Sequence, residues 1–481
     1  MMDSYDEVEY KGFPFPQSHP DRMCVIGRLL GMDPAPAQRC RVLELGCGDG
    51  GNLIPMAFSL PESDFLGIDL AERPIARGRA VAEELALRNI RLERMDVRDA
   101  GAELGEFDYI IAYGLYSWVA EDARRKILAI AGAHLAPQGI AYINYTAYTG
   151  GHLRMMFREM LQFETQGAQN PGERIERARR LLEEFSASPA LADEYGAFAK
   201  AEARRLLERE GAFLFHDELG ETYHPFHFHE FIRDARQHGL EYLAEATLSD
   251  AHAASGPLAE ALERIPDPVA REQHFDFLKG RTFHHTLLCR KELRLDHVLR
   301  LGEVRRFHAA CSATRSSVNG ETEFRTPRSG LRTAHPAAIA VLNALIDAWP
   351  RAIAVPGLPG DPAAVSAVLL SAFAGGIVQL YANPPRLAPI PGERPLANPL
   401  ARIQARTGER ITTLLHTSIE IRDEIARRLL ILLDGTRDRA ALVQELMLFA
   451  PAGVARESFA AALDQNLDAL ARLGLLAESR S

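Results

Sequence analysis

The sequence predicts an α/β protein in which helices alternate with the strands of an open, mostly parallel sheet. Residues 41–52 (RVLELGCGDGGN) have the pattern of a buried strand followed by a glycine-rich turn. A second short strand, at 65–69, ends on the carboxylate of Asp69. Residues 107–113 are apolar enough for a central strand of a parallel sheet, which is buried on both faces.

The other elements of the sheet follow in chain order. Periodicity and turn residues predict a helix at 73–88, a strand at 90–95, a helix at 123–135, a turn at 136–139 and a fifth strand at 140–145. A helix at 227–239, which Gly239 ends, precedes strands at 240–246 and 281–290. We expect these last two strands to form an antiparallel hairpin that completes a seven-stranded sheet.

Four features lie where successive strands of this sheet end: the glycine-rich turn, Asp69, Asp96 and the turn at Tyr113-Gly114. Open α/β sheets bind their ligands at these carboxyl ends. Glycines let the backbone approach a ligand, and an acidic residue at the end of the second strand takes ribose hydroxyls. The sequence therefore predicts a nucleoside site at this edge.

Two glycine patterns overlap in the turn. Gly46, Gly48 and Gly51 fit the dinucleotide pattern GxGxxG, which predicts stabilisation by NADH. Gly46, Gly48 and Gly50, preceded by Glu44, fit ExGxGxG, the pattern of S-adenosylmethionine-dependent methyltransferases of the class I fold. Asp96 favours the second interpretation, because its carboxylate suits the exocyclic amine of adenine while Val97 packs on the ring.

Several longer motifs carry a narrower resemblance: residues 4–10 (SYDEVEY), 17–22 (QSHPDR), 43–57 (LELGCGDGGNLIPMA), 114–119 (GLYSWV) and 274–283 (HFDFLKGRTF). With them the chain resembles class I methyltransferases that carry a methyltransferase regulatory domain, a group that includes the rickettsial outer-membrane-protein lysine methyltransferases. The resemblance is strong over the first 290 residues and loose beyond them.

The resemblance implies that S-adenosylmethionine is the cofactor and S-adenosylhomocysteine the product. The residues expected to bind it are Glu44, Gly46, Gly48, Gly50, Asn52, Asp69, Leu70, Asp96, Val97 and Tyr113. We expect Tyr116, Trp118 and Tyr145 to act in transfer, since aromatic faces tolerate a cationic sulfonium or amine, and Tyr148 and His224 to contact the acceptor.

The acceptor stays open in the sequence. Protein lysine side chains are the leading interpretation, and a small metabolite or ribosomal peptide is the alternative. A protein that binds the cofactor without transferring its methyl group is a third. Tyr113 and the neighbours of Tyr145, Asn144 and Thr146, depart from the pattern expected in relatives. A wide acidic groove leading to the Trp118 pocket would favour a protein acceptor.

The predicted domain organisation begins with an N-terminal arm over the cofactor site (1–37) and the methyltransferase core (38–150). A helical insertion that closes as a lid (151–220) and a regulatory segment that completes the sheet (221–292) follow. The chain ends with a small winged-helix-like module (293–380) and a C-terminal helical, winged-helix-like module (381–481). Tyr5, Tyr10 and His19 of the arm are expected near the donor. Helical periodicity predicts that residues 400–431 contain long helical material within the last module.

Composition excludes several classes of partner. The net charge of −10, without a long basic run, argues against nucleic acid. Five scattered cysteines predict neither a disulfide framework nor a zinc site, and the spacing of His216, His224, His227 and His229 fits no standard metal pattern. Without a signal segment or an apolar run of membrane length, we expect a cytoplasmic protein. The sequence leaves the oligomeric state open, a homodimer included.

Overall fold

A computed structural model describes residues 7–189, 193–248, 260–262, 264–449 and 455–478. Tyr5 and residues 249–259, which lie between the last two predicted strands, are outside this range. Among the described residues, no helix combines the length and apolar character needed to cross a lipid bilayer.

The first half of the chain builds one sheet with its helices. Its elements are α1 (Pro20–Leu29), β1 (Arg41–Leu45), α2 (Leu53–Ser59), β2 (Asp64–Asp69), α3 (Glu72–Glu84), β3 (Ile90–Arg94), β4 (Phe107–Ala112), α4 (Glu121–His134), β5 (Leu135–Thr146), α5 (Tyr148–Glu164), α6 (Pro171–Ala187), α7 (Glu194–Leu207), α8 (Phe228–Gln237), β6 (Leu240–Glu245), α9 (Pro268–Lys279) and β7 (Phe283–Arg290).

The sheet has the order β3-β2-β1-β4-β5-β7-β6. Strands β1 to β5 pair in parallel, and β7 pairs antiparallel with both β5 and β6, so the predicted closing hairpin is confirmed. The turn predicted at 136–139 is wrong. Strand β5 begins at Leu135 and absorbs the Pro-Gln-Gly stretch as an irregularity in its pairing with β4, between Phe107 and Tyr109.

The insertion after β5 is helical and has a core of its own. Phe157 and Leu161 of α5 pack against Ala178 and Leu182 of α6 and against α7. A turn at Gly211–Phe213 then continues as a π-helix over Leu214–Glu218, which brings the end of the insertion back to the carboxyl edge of the sheet.

Residues 301–381 form β8 (His308–Ala310), β9 (Thr314–Val318), β10 (Glu321–Arg325), β11 (Gly330–Thr333), α10 (Pro336–Ala348), β12 (Ile353–Ala354), α11 (Pro362–Ala374) and β13 (Gln379–Tyr381). The sequence predicts a separate module here, but Val304, Phe307 and Leu369 share one continuous core with Met23 and Ile26 of α1. The buried carboxylate of Asp21 also accepts the backbone N–H groups of Ala382 and Asn383. The segment is therefore joined to the seven-stranded sheet through α1.

The C-terminal module consists of α12 (Pro399–Thr407), β14 (Arg410–Thr412), β15 (Ser418–Glu420), α13 (Glu424–Leu432), α14 (Arg439–Leu446) and α15 (Arg456–Arg472). The helical material predicted within 400–431 is divided between α12 and α13, and the antiparallel hairpin β14–β15 lies between them. Each of these strands has only 3 residues, which is too short for an alternating pattern to reveal it between two helical stretches.

A cluster of buried charged side chains lies where β6, β7 and α9 pack together. Arg281 Nη1 lies 2.9 Å from Glu272 Oε2 and 3.2 Å from Asp276 Oδ1. His284 Nε2 lies 2.8 Å from Asp276 Oδ2, and its Nδ1 lies 3.3 Å from Glu245 Oε2. Burial by itself lowers the pKa of His284, but Glu245 and Asp276 outweigh it and raise that pKa from 6.5 to about 9.

The unfolding free energy is expected to fall as the pH rises from about 6.5 to 9, because His284 stays protonated in the folded chain after it has lost its proton in the unfolded one. This contribution is fully present below 6.5 and is lost above about 9, and it amounts to roughly 3 kcal/mol. Urea unfolding at pH 6, 7.5 and 9 measures it. His284→Gln should flatten the profile, and an equal slope in both proteins would contradict the assignment.

Candidate active site

Two contacts fix the position of the glycine-rich turn after β1, one to Asp69 and one to the N-terminal arm. Gly48 has a φ of +55°, and a Cβ added to it would meet nothing within 4 Å, so the backbone faces free space. Its N–H donates to Asp69 Oδ2 at 2.8 Å. At Gly51 a Cβ would lie 2.3 Å from the carbonyl carbon of Gly12, because the N-terminal arm crosses directly over the turn.

A pocket of about 700 Å³ opens at this edge of the sheet. The predicted cofactor residues that line it are Glu44, Gly46, Gly48, Asn52, Asp69, Leu70, Asp96, Val97 and Tyr113. Gly50 does not line the pocket: a Cβ there would point at Leu92 and Ile54, so this glycine serves packing behind the turn.

Glu44 and Asn52 form a buried polar pair at the base of the pocket. Asn52 Nδ2 donates to Glu44 Oε1 at 2.8 Å, whereas Glu44 Oε2 is buried without a hydrogen-bond partner in the described structure. Burial raises the pKa of Glu44 to about 8. A cationic group placed beside Oε2 would restore the charged carboxylate and satisfy the orphaned oxygen.

Asp69 and Asp96 present carboxylates at the ends of β2 and β3. Asp69 Oδ1 also accepts the N–H of Ala71 at 2.9 Å, which fixes its orientation. Asp96 is paired with Arg98, whose Nε lies 3.0 Å from Oδ1 and whose hydrogen bonds lower the pKa of this carboxyl. Asp96 therefore stays ionised, and its carboxylate in the pocket wall can accept hydrogen bonds.

Aromatic rings form the opposite wall. Phe15 of the arm stacks on Tyr113 with ring centroids 3.3 Å apart. Trp118 lines the pocket and packs against Tyr223 at 5.0 Å, with the guanidinium of Arg154 5.0 Å from its ring. The helical insertion thus contributes to this wall through α5.

Besides Gly50, four predicted site residues lie outside the lining of the pocket. Tyr116 and Tyr145 are buried in the core on the other face of the sheet, where Tyr145 packs on Phe231 at 4.1 Å. Tyr148 and His224 lie outside the lining, and Tyr148 packs against His227. For Tyr145 the reason is strand alternation: Asn144 points into the pocket, so its neighbour on β5 points away.

The structure adds residues that motif reasoning missed. Asn144 Oδ1 accepts the N–H of Gly114 at 2.6 Å, and His285 lines the pocket from β7. Burial lowers the pKa of His285 to about 4, so its imidazole is neutral at physiological pH. Strand alternation on β5 could have identified Asn144. Arg209 and Asp217, from the far end of the insertion, have no local sequence signal.

The four histidines for which the sequence predicts no metal site have other partners. His216 Nε2 contacts the carbonyl of Val8, His229 Nδ1 contacts Gln273 Oε1, His224 packs on Phe226, and His227 packs on Tyr148 and on His229. Within the ranges that the structure describes, no group of three or more His, Cys, Asp or Glu side chains is arranged to hold a metal ion.

A second, larger cavity of about 1030 Å³ lies between the catalytic sheet, the end of the insertion and the C-terminal module. It shares Gly12, Phe13, Arg209 and Phe213 with the pocket wall. Its lining is mixed in charge rather than acidic: Glu9, Asp49, Glu208, Glu210, Glu409 and Glu420 face Lys11, Arg77, Arg209, Arg410 and Arg422. We call it the groove.

The pocket fits S-adenosylmethionine. The free space before Gly48, the orphaned Oε2 of Glu44 and the carboxylate of Asp69 provide a close backbone approach, an acceptor for an ammonium group and acceptors for ribose hydroxyls. The rings of Phe15, Tyr113 and Trp118 line the pocket and give it the aromatic surroundings that suit a sulfonium.

Comparison with known protein families gives three matches. Residues 42–139 match a methyltransferase domain, residues 210–290 a predicted methyltransferase regulatory domain, and residues 393–456 the C-terminal winged helix domain of PKMT. The methyltransferase core, the regulatory segment and the winged-helix character of the last module are thereby confirmed.

Among curated proteins, the chain is 34% identical to the uncharacterised protein RP789 of Rickettsia prowazekii over 63% of its own length and 56% of that protein. It is 32% identical to RP028 of the same organism over 50% of its length and 96% of that protein. Among solved structures it resembles PKMT2 from Rickettsia typhi in complex with AdoHcy, with a TM-score of 0.86 and 24% identity over 97% of this chain and 99% of that one.

Proposed function

Because this chain belongs to the family of class I S-adenosylmethionine-dependent methyltransferases that carry a methyltransferase regulatory domain, we propose that it methylates lysine side chains of protein substrates. The cofactor supplies an electrophilic methyl group on a sulfonium. The protein has to hold an acceptor amine in line with that group and exclude water. The fold shared with PKMT2 and the winged helix of PKMT type support a protein acceptor.

The groove is the observation that carries this proposal. A metabolite needs only the pocket, whereas a polypeptide needs a surface on which the residues flanking its lysine can lie. The groove has that size, and its mixed charges offer partners to an extended chain of either sign. It meets the pocket at a small aromatic partition formed by Tyr10, Phe13 and Phe213. The ring centroid of Phe213 lies 5.0 Å from that of Tyr10 and 5.8 Å from that of Phe13.

In this proposal the lysine side chain passes the aromatic partition and its amine ends between Tyr113 and Trp118. Apolar and aromatic surroundings favour the neutral, nucleophilic amine over the ammonium ion. Arg209, 5.2 Å from the ring of Phe213, and Arg410, 4.9 Å from the ring of Phe13, hold the partition in place from the groove side.

Ile403→Arg tests the groove. Ile403 lines the groove but not the pocket, so a long cation there should obstruct a polypeptide without touching the cofactor. Methyl transfer from labelled S-adenosylmethionine into proteins of a lysate from cells lacking this chain is expected to fall about tenfold, the effect of roughly 1.4 kcal/mol. Mass spectrometry should place the label on lysines, and calorimetry should find cofactor binding unchanged.

Ile390→Arg is the matched control, because it makes the same substitution in the C-terminal module at a side chain 77% exposed and outside the groove. It should methylate like the wild type. Label confined to small molecules, and insensitive to Ile403→Arg, would contradict the proposal in favour of a metabolite acceptor. Cofactor binding without any label in the lysate would favour a non-catalytic binding protein.

We also propose that the reaction takes place in the cytoplasm. The five cysteines are all unpaired and buried, as expected of a chain kept in a reducing compartment. Cell fractionation with an antibody to the native chain checks this, and recovery of the chain in the envelope fraction would contradict it.

A further inference from the structure

The tip of the C-terminal hairpin inserts a histidine beside the cofactor turn. His416 lies between β14 and β15 in a tight turn closed by the hydrogen bond from Thr413 N–H to the carbonyl of Thr417, 2.9 Å. It has a φ of +55° and is 6% exposed. Its Nε2 lies 3.0 Å from Asn52 Oδ1, the residue that follows the glycine-rich turn.

The direction of this hydrogen bond follows from the other partners of Asn52. The N–H of Phe15 can only donate, and it lies 3.0 Å from Asn52 Oδ1, so this atom is the amide oxygen. His416 must therefore donate from Nε2. Its imidazole is neutral, since burial lowers its pKa well below the usual value, and the proton resides on Nε2.

Both amide protons of Asn52 have acceptors, and one of these acceptors, Glu44, lines the pocket. Asn52 Nδ2 donates to Glu44 Oε1 at 2.8 Å and to Ser18 Oγ at 3.1 Å. Glu44 Oε1 is thereby committed, and Oε2 is the oxygen left for a ligand. A chain of hydrogen bonds thus connects the C-terminal module to the orphaned oxygen of the cofactor pocket.

We propose that the C-terminal module is part of the cofactor site, and that His416 is a positioning residue that acts through Asn52 to aim Glu44 at the ammonium group of the methionine moiety. The inference rests on the methyl-donor site and not on the identity of the acceptor. Without the Nε2 donor, Asn52 Oδ1 keeps only the N–H of Phe15 as a close donor, so the amide that fixes Glu44 is held less firmly.

Two ligands separate this role from a general structural one. S-adenosylhomocysteine carries the amino-acid part, whereas 5′-methylthioadenosine lacks it. In the full-length chain, His416→Leu is expected to weaken the binding of S-adenosylhomocysteine about tenfold and that of methylthioadenosine less than about twofold, as the loss of one oriented charged contact predicts. His416→Gln, whose amide nitrogen replaces Nε2, should restore the affinity. Isothermal calorimetry measures all six values.

An equal loss for both ligands would overturn the proposal, because it would mean that the hairpin only supports the turn. Unchanged affinity for S-adenosylhomocysteine would overturn it too. If His416→Leu does not fold, His416→Asn takes its place, since asparagine accepts a positive φ and its amide ends short of Asn52. Neither ligand is a methyl donor, so failure here leaves the lysine proposal untouched and is distinguishable from its failure.

Discussion

Replacing Asp69 by alanine is expected to weaken the binding of S-adenosylmethionine by at least about 100-fold, with a parallel loss of methyl transfer. Each hydrogen bond from a ribose hydroxyl to a charged acceptor contributes about 1.5–3 kcal/mol, so two such bonds exceed the roughly 2.8 kcal/mol that corresponds to 100-fold. The carboxylate also accepts the N–H groups of Gly48 and Ala71, so its removal loosens the turn that the cofactor approaches.

Asp64→Ala is the matched control for this variant. Asp64 begins the same strand at the opposite, exposed end, 5 positions away in a strand of 6 residues. It should bind the cofactor like the wild type. Titration with S-adenosylmethionine and with NADH measures both proteins, and the wild type should respond to the first ligand alone. Undiminished binding by Asp69→Ala, or stabilisation by NADH, would contradict the site assignment.

The sheet and its ligand-binding edge could be predicted because their signals are local. An apolar strand, a glycine turn and an acidic strand end occupy consecutive residues, and the hairpin that closes the sheet has clear alternation at 240–246 and 281–290. Gly48 and Asp69 could be paired in advance because parallel strands bring their carboxyl ends together. The contact between them, 2.8 Å, is what that topology requires.

The errors arose where residue type was used without side-chain direction. Tyr145 was chosen for its aromatic ring, but alternation on β5 gives the pocket to Asn144. Tyr116 lies in a short helical turn that points its ring at Phe226 and Phe231, in the core. Neither error concerns the fold. Both concern which of two neighbouring side chains faces the ligand.

The sequence predicts an arm over the cofactor site, but not which residues of distant parts of the chain pair with each other. Phe15 reaches Tyr113 from the N-terminal arm, and His416 reaches Asn52 across 364 positions. Such pairings depend on how finished layers pack, and no periodicity or motif in either segment encodes its partner. The sharing of one core between α1 and residues 301–381 has the same origin.

Replacing Arg281 by methionine is expected to lower the unfolding free energy by roughly 3–5 kcal/mol at pH 8, the cost of breaking a buried ion pair from one side. Arg281 is 8% exposed and faces Glu272 and Asp276, and burial already raises the pKa of Glu272. Without the guanidinium, the ion pairs described above leave only His284 to balance the three buried carboxylates of Glu245, Glu272 and Asp276.

The loss should shrink as the pH falls toward 5. In the folded variant the carboxylates that have lost Arg281 take up protons at a higher pH than in the unfolded chain. The folded state therefore binds more protons and gains stability on acidification relative to the wild type. Arg236→Met provides the control, because its pair with Glu241 is 48% exposed on the arginine side and should cost less than about 1 kcal/mol at either pH. Urea unfolding of the three proteins at pH 5 and pH 8 measures these differences in unfolding free energy. A charge cluster predicts that the difference between wild type and Arg281→Met depends on pH. A difference that is the same at both pH values would mean that the Arg281 side chain only packs.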